Sequence, residues 1–346
     1  MTVQTSVQST ELQVVAYPRD RVGPENFELV KVELGAPGPG QVLVRNTWTS
    51  VDPGLRLRLR ENAPSGYFAS FPLHAPMDGI LTVGEVVESQ AAGFAVGDTV
   101  WHSQGWREYA VVDAGVVQMN GLGTLRVLDT AGTPAQWYLG PLGGMGLTAY
   151  SGLSVVDALG GGEDLWVSAA GGAVGALVAQ MAVRLGHRVV ASAGSAEKVS
   201  WLLDEVGAAA AFNYREESPS AALKRLVPDG IDVYFDNVGG DHLEAALDAM
   251  RQYGRIALCG SVSDYEGDPV GPRNIFLATA KNLTLRGFRG GANFALLEEM
   301  QHRVGGWLRE GSVVHRETVY DGLASAPTAM NDMLAGRTVG KTLVRL

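Results

Sequence analysis

Apolar and polar positions alternate in short runs over the first third of the chain and give way to βα-like spacing near residue 135. In Phe27-Glu28-Leu29-Val30-Lys31-Val32 and Gln41-Val42-Leu43-Val44-Arg45-Asn46, apolar side chains recur at strand spacing, which predicts strands with one face in a core. Clusters such as Ala36-Pro37-Gly38-Pro39-Gly40 separate the runs and predict tight turns. Residues 79–87 and 98–101 continue the pattern. Residues 1–10 read as a loose tail, and 12–117 as an irregular, mostly antiparallel, barrel-like domain.

Beyond residue 135, buried-strand runs alternate with helical stretches. Strands are expected at 165–168, 188–192, 231–235, 255–259 and 283–286. Helices are expected at 174–185, from near Ser195, at 241–250 and at 295–309. This succession predicts an α/β fold, a doubly wound parallel sheet with helices on both faces. The remainder, 313–346, ends in a strand at 341–345. The longest apolar stretch, 165–183, contains a Gly171…Gly175 pair of the kind that packs membrane helices. Ser168 and Gln180 interrupt it and Glu163-Asp164 abut it, so a strand–turn–helix accounts for it better.

Composition narrows the chemistry. At 346 residues, two domains are expected. A formal charge of −10 argues against a non-specific nucleic-acid or anionic-membrane surface. Cys259 is the single cysteine, which rules out an internal disulfide and a four-cysteine zinc cluster. The first ten residues have no apolar signal-peptide core, so the cytoplasm is expected.

The segment Ala169-Ala170-Gly171-Gly172-Ala173-Val174-Gly175 follows a predicted strand and opens a helix. Against G-x-G-x-x-G it has Ala170 at the first position, but Gly172 and Gly175 keep the other two. Gly172 lets backbone approach a pyrophosphate, and Gly175 lets the helix pack on the strand. The rival reading is a flavodoxin-like turn without a dinucleotide. The next strand ends in Ser192-Ala193-Gly194-Ser195-Ala196-Glu197-Lys198, with no acid at its end to bind ribose hydroxyls. Hydroxyls and Lys198 suit a ribose 2′-phosphate, hence NADPH. This expectation fails if Glu197 points inward or if Lys198 is an ordinary solvated helix residue.

An ordered series of motifs now carries a resemblance. It comprises Val51-Asp52-Pro53, Gly146-Leu147-Thr148-Ala149-Tyr150, Gly194-Ser195-Ala196-Glu197-Lys198-Val199, Phe212-Asn213-Tyr214, Tyr234-Phe235-Asp236-Asn237-Val238-Gly239-Gly240, Gly254-Arg255-Ile256-Ala257-Leu258-Cys259-Gly260 and Val339-Gly340-Lys341-Thr342. The series resembles the zinc-independent medium-chain dehydrogenase/reductases, nearest the NADPH-dependent alkenal/one reductases. The resemblance implies a GroES-like, mostly β catalytic domain at 1–137, completed by 312–346, with a Rossmann domain at 138–311 inserted and the active site in the cleft. It implies NADPH held by Gly172, Ala173, Val174, Gly175, Lys198, Tyr214 and Asn237. It further implies contacts from 259 through 265, among them Cys259, Gly260, Ser261 and Tyr265, and from Phe288, Arg289 and Gly290. Thr148 would lie near the nicotinamide, and a homodimer is expected. Two departures stand out: Gly54 where the family usually has a pocket-lining Tyr, and Thr338 where it often has Asn.

The implied reaction is hydride transfer to the β-carbon of an α,β-unsaturated carbonyl, without a metal. It requires orientation and a hydrogen-bond donor for the developing oxyanion. Tyr265 is the candidate, against the plainer reading that it only packs. The rival zinc alcohol dehydrogenase needs thiolate and imidazole ligands. The comparable region reads Met77-Asp78-Gly79, and His74 and His102 are expected to be surface or pocket-lining groups rather than ligands. Tyr67, Phe68, Phe71, Trp101 and Trp106 form either an apolar substrate wall or ordinary core. An NADPH quinone oxidoreductase and a non-catalytic NADPH-binding protein stay as alternatives.

Overall fold

The chain enters a sheet within its first ten residues. In the computed structural model, which describes residues 6–266 and 271–346, strand β1 (Val7–Val14) pairs antiparallel with β2 (Phe27–Leu34), Val7 opposite Leu34 and Val14 opposite Phe27. The expected loose tail is therefore corrected for residues 7–10; residues 1–5 lie outside the described residues. This strand start has little apolar character because a polar group anchors it. The buried Ser9 hydroxyl accepts from the Tyr109 N–H at 3.1 Å.

Strands β3 (Gln41–Ser50), β4 (Thr82–Ser89), β5 (Thr99–His102), β6 (Tyr109–Asp113) and β7 (Arg126–Val127) follow, with a short helix α1 (Leu55–Arg58) after β3. Next come α2 (Gly144–Val155), β8 (Asp164–Val167), α3 (Ala173–Arg184), β9 (Arg188–Ala193), α4 (Ala196–Asp204), β10 (Ala210–Asn213), α5 (Pro219–Leu226), β11 (Ile231–Asp236), α6 (Gly240–Ala249), β12 (Met250–Leu258), α7 (Phe276–Ala280), β13 (Thr284–Gly287) and α8 (Leu297–Arg309). The chain closes with β14 (Glu317–Asp321), α9 (Ala326–Leu334) and β15 (Lys341–Arg345). It divides into two compact units, Met1–Gly140 with Glu317–Leu346, and Pro141–Arg316.

The first unit carries a sheet in the order β14-β15-β3-β4-β5-β7, with β6 also paired to β3. It is antiparallel apart from β14 on β15. One core gathers Leu12, Val14, Leu55, Phe71, Met77, Trp106 and Val344. A buried ion pair fastens the last strand to β3: Lys341 Nζ donates to Asp52 Oδ1 and to the Val51 carbonyl, both at 2.8 Å, and Ser50 donates to the other Asp52 oxygen. Two motifs nearly 300 residues apart in the chain meet here. Deleting one partner of such a pair strands a buried charge, at a cost of ~3–5 kcal/mol.

His102 is neither a surface nor a pocket-lining group, which corrects the expectation. It is fully buried, its Nδ1 accepting the Gln104 N–H at 3.1 Å and its Nε2 lying 2.9 Å from Asn46 Oδ1. Nδ1 is thereby the acceptor, so Nε2 carries the proton and donates to Asn46. Asn46 in turn donates to the Gln104 and Arg107 carbonyls. His74 is exposed.

The second unit is a six-stranded parallel sheet in the order β10-β9-β8-β11-β12-β13. The strands expected in this half are present, each within a few residues of its predicted bounds. Strand β10 and helices α2 and α5 were not anticipated, being short or rich in Ala, Gly and Ser. The helix expected at 295–309 is α8, preceded by a 3-10 segment (Gly290–Leu296) in which Asn293 leaves helical backbone geometry at φ −106°, ψ 37°. Among the described residues, no helix is long and apolar enough to cross a membrane.

Burial holds His102 at about 3 and His242 at about 4, both below the ordinary 6.5. A histidine depressed in the fold contributes stability that is complete above its unfolded value and is lost as pH falls toward its folded value. Unfolding free energy should therefore decline from pH about 6.5 to about 4, each histidine adding up to about 1.4 kcal/mol per pH unit. Urea titrations at stepped pH check this. The slope should be shallower in His102→Gln, and equal slopes in the two proteins would contradict the assignment.

Candidate functional site

Strand order reverses between β8 and β11, which lie side by side while the chain winds outward in both directions. All the strands point the same way, so the loops after β8 to β13 emerge on one edge. Val167 is level with Phe235, and Asp236 with Leu258. Ligands of open α/β sheets bind outside this edge, at the reversal point. Asn237 spans that point: its Nδ2 donates to the Ser168 carbonyl at 2.8 Å and its N–H to the Ser168 hydroxyl at 3.0 Å.

The glycine turn sits directly beside it. Gly172 is the N-cap of α3, with no side-chain cap, and Ala173 and Val174 open the first turn. The first N–H groups of a helix have no partner within it. Helices α4 and α5, by contrast, are capped by Ser195 and Ser218. Gly175 is required by packing, because a β-carbon there would lie 2.8 Å from Ala170 Cα and closer still to the Ala169 carbonyl oxygen. Gly172 is not: a β-carbon there would meet only the Ala169 oxygen, at 3.4 Å. An open backbone at an uncapped helix start, inside a turn with room to spare, fits a pyrophosphate.

A cationic cluster lies at the ends of β9 and β10. The Ser195 hydroxyl caps α4 by accepting the Lys198 N–H at 3.3 Å. Lys198 is buried, 7% exposed, and its stem lies against Gly171, where a β-carbon would fall 2.7 Å from Lys198 Cδ. The solvated-lysine reading is thus excluded, and Glu197 points to solvent rather than inward. Burial lowers the Lys198 pKa, the nearby Arg215 lowers it further, and Glu197 opposes both. Tyr214 follows β10 and donates its N–H to the Ala193 carbonyl at 3.1 Å. Its hydroxyl rests on Gly194, 2.7 Å from where a β-carbon would stand. The Arg215 guanidinium lies 5.9 Å from the Tyr214 ring centre. Sequence reasoning missed Arg215. The available signal was its place directly after Tyr214 in Asn213-Tyr214-Arg215.

The loops after β11 and β12 are tied together through Asp236. Its buried carboxylate accepts from Tyr234 Oη at 2.8 Å and from the Val238 and Gly239 N–H groups at 2.9 Å, and burial raises its pKa. Its carbonyl accepts the N–H groups of Cys259 and Gly260 at 2.9 and 3.1 Å. Gly239 and Gly240 have φ of +73° and +49°, a left-handed pair that other residues rarely adopt. Burial, then the Asp236 charge, pushes the Cys259 thiol up to about 12, so it is no nucleophile at neutral pH. Ser261 donates to the Asp264 carboxylate, and Ser263 to the Val238 carbonyl at 2.6 Å. The half-buried Tyr265 closes this turn, its hydroxyl 3.4 Å from where a β-carbon on Gly260 would stand.

The remaining expected contacts divide. Thr148 and Gly290 are brought together, since a β-carbon on Gly290 would lie 2.9 Å from Thr148 Cα. The Thr148 hydroxyl donates to the Gly144 carbonyl at 2.7 Å. Phe288 packs edge-on against Phe235 with ring centres 5.9 Å apart, and lies over Gly152. Arg289 is exposed.

In the first unit, Phe71, Trp101 and Trp106 are core residues, 2% exposed or less, so the wall reading is corrected for these three. Tyr67 and Phe68 are half-buried and meet edge to face at 4.9 Å. A β-carbon on Gly54 would fall 2.6 Å from the Tyr67 hydroxyl, so the phenol occupies space that a side chain at 54 would enter. Thr338 is buried and accepts from the Thr342 hydroxyl at 3.0 Å.

Comparison with known proteins bears on both units. The family model described as the N-terminal domain of oxidoreductase matches residues 11–119, and that described as zinc-binding dehydrogenase matches 173–304. Among the described residues, no group of three or more His, Cys, Asp and Glu side chains is placed to hold a metal ion. The chain is 41% identical to a 2-alkenal reductase (NADP(+)-dependent) of Nicotiana tabacum, over 96% of this chain and 94% of that one. It is 39% identical to a (+)-pulegone reductase of Mentha piperita, over 88% and 87%. The crystal structure of CurA in complex with NADPH from Vibrio vulnificus superposes with a TM-score of 0.89 at 30% identity, covering 97% of this chain and 98% of that one. With matches of this length and identity, the chain belongs to the medium-chain dehydrogenase/reductases, within their alkenal/one reductase group.

Proposed function

We propose that this protein is an NADPH-dependent reductase of the carbon–carbon double bond of 2-alkenals and enones. The observation that carries the cofactor choice is the cluster of Lys198, Tyr214 and Arg215 beside a strand end that bears no acid. The substrate class is supported by the named activities of the tobacco and mint relatives. We assign cofactor contacts to Thr148, Gly172, Ala173, Val174, Gly175, Lys198, Tyr214, Asn237, Cys259, Gly260, Ser261, Tyr265, Phe288, Arg289 and Gly290, and add Arg215. For Phe288 the contact would be through its backbone or an exposed ring edge, since the ring is packed on Phe235.

NADPH, when bound, would supply the hydride that adds to the β-carbon, and a proton from water would add at the α-carbon to complete the saturated carbonyl compound. The chain's own work is to bind, orient and donate. The open first turn of α3 receives the pyrophosphate, and the cationic cluster receives the 2′-phosphate. The Tyr265 hydroxyl donates to the carbonyl oxygen as negative charge develops there, and an uncharged donor suffices. Ser261, Ser263 and Asp264 hold that turn against the loop after β11.

We further assign the protein to the cytoplasm and infer a homodimer. Its single cysteine suits a reducing compartment. Strand β13 ends the sheet order, and Tyr253, Ile275 and Phe276 are 69%, 51% and 74% exposed in the same unit. Tyr253 donates its N–H to the Lys281 carbonyl just past α7, which brings these residues to one region.

Three measurements follow. Steady-state assays should find 2-alkenals and enones reduced, with Tyr265→Phe lowering turnover roughly ten- to a hundredfold while the NADPH dissociation constant is unchanged. A profile limited to quinones would defeat the alkene reading, and unaltered turnover would remove Tyr265 from the chemistry. Lys198→Ala combined with Arg215→Ala should weaken NADPH binding by roughly a hundredfold or more and leave NADH binding nearly as it was, since each charge-assisted hydrogen bond contributes ~1.5–3 kcal/mol. A parallel loss for both nucleotides would show that the cluster does not read the phosphate. Light scattering should give the mass of two chains, with Phe276→Glu shifting the population toward one; a monomer at all concentrations would rule the dimer out.

A further inference from the structure

We propose that His242 is a positioning residue for the 2′-phosphate of NADP(H), acting through Tyr214; this rests on the cofactor reading above. His242 occupies the first turn of α6 and is 6% exposed. Its imidazole stacks on the indole of Trp166, with ring centres 5.8 Å apart and planes 16° from parallel. It meets the Tyr214 ring edge to face, at 5.3 Å and 75°. Trp166 also stacks on Tyr234, with ring centres 4.3 Å apart. A continuous column thus runs from the middle of the sheet, Tyr234 to Trp166 to His242, and ends on Tyr214.

The outer end of the column is fixed from the opposite direction. Tyr214 is anchored by its N–H on Ala193, and its hydroxyl sits against Gly194. The imidazole packs against the ring and restricts the positions open to it. Edge-to-face aromatic pairs contribute ~0.5–1.5 kcal/mol beyond the area they bury, and that is the scale on which the phenol's position is set. Burial keeps His242 neutral at physiological pH, so it adds no charge to the Lys198 and Arg215 pair. Its contribution is a flat, uncharged surface. A phosphate reader then needs three parts: cations for strength, a hydroxyl for direction, and a column that keeps the hydroxyl from swinging away.

The test is calorimetric binding of NADPH and NADH to the full chain, with circular dichroism to show that each variant is folded. His242→Ala should weaken NADPH binding roughly five- to tenfold while NADH binding stays as in the wild type. His242→Phe, which keeps a neutral ring, should restore NADPH binding. Gly194→Ala should give a similar selective loss by displacing the phenol from the front. Because it leaves the core untouched, it serves as the test if His242→Ala does not fold. Combining it with His242→Ala should add little, since both act through one ring. If His242→Ala, or Gly194→Ala in its place, leaves the preference for NADPH intact, the inference is overturned and the cofactor reading stands. If the wild-type protein binds both nucleotides equally, the cofactor reading falls and takes this inference with it.

Discussion

Everything at the candidate site depends on how closely α3 comes to the end of β8. Gly175 can have no side chain, because a β-carbon there would meet the backbone of Ala169 and Ala170. That approach sets the first turn of α3 over the reversal point of the sheet, with its N–H groups uncapped. A larger residue would lift the helix away and carry the anion site with it. The same edge receives Asn237, bonded across the gap to Ser168, and the turn that ends in Tyr265. One close contact therefore organises the turn that would receive a pyrophosphate and aligns it with the loops after the neighbouring strands.

Two buried charges tie distant parts of the chain together. Asp236 gathers Tyr234 and the N–H groups of the glycine pair, while its own carbonyl holds Cys259 and Gly260. Asp52 receives Lys341 from the far end of the sequence. Both carboxylates have polar partners for each role they play, which is what a buried charge requires. Neither needs a ligand to explain it. At Lys198 the stem is buried against Gly171, and a second cation, Arg215, lies near enough to lower its pKa. Two cations held in proximity favour an anion between them, and the absence of an acid at the end of β9 agrees.

Much of the second unit was legible in the sequence because parallel strands are buried on both faces and read as apolar runs. Strands 165–168, 188–192 and 231–235 and helix α3 emerged near their observed places. Residues 7–10 did not, because their pairing is made by backbone and by Ser9, which leave no apolar trace. His102 was misplaced for a similar reason: a neutral, fully bonded imidazole in a core looks no different in sequence from one at a surface. Trp101 and Trp106 were open to two readings, and burial decided them. At the site, Gly172 and Lys198 could be named from the turn and the strand end, and Tyr214 from the family resemblance. Arg215 was missed although it directly follows Tyr214, and His242 left no sequence signal, since its relevance comes only from the rings that folding sets beside it.

The account centres on hydride passing from NADPH to the β-carbon of a conjugated carbonyl compound. The most direct measurement uses NADPH carrying deuterium at C4 of the nicotinamide, on each face in turn, with an acyclic enone as substrate and mass and NMR analysis of the product. The account predicts one deuterium at the β-carbon of a saturated ketone, from one of the two labelled forms. Deuterium on the carbon of a newly formed alcohol, with the double bond intact, would contradict it.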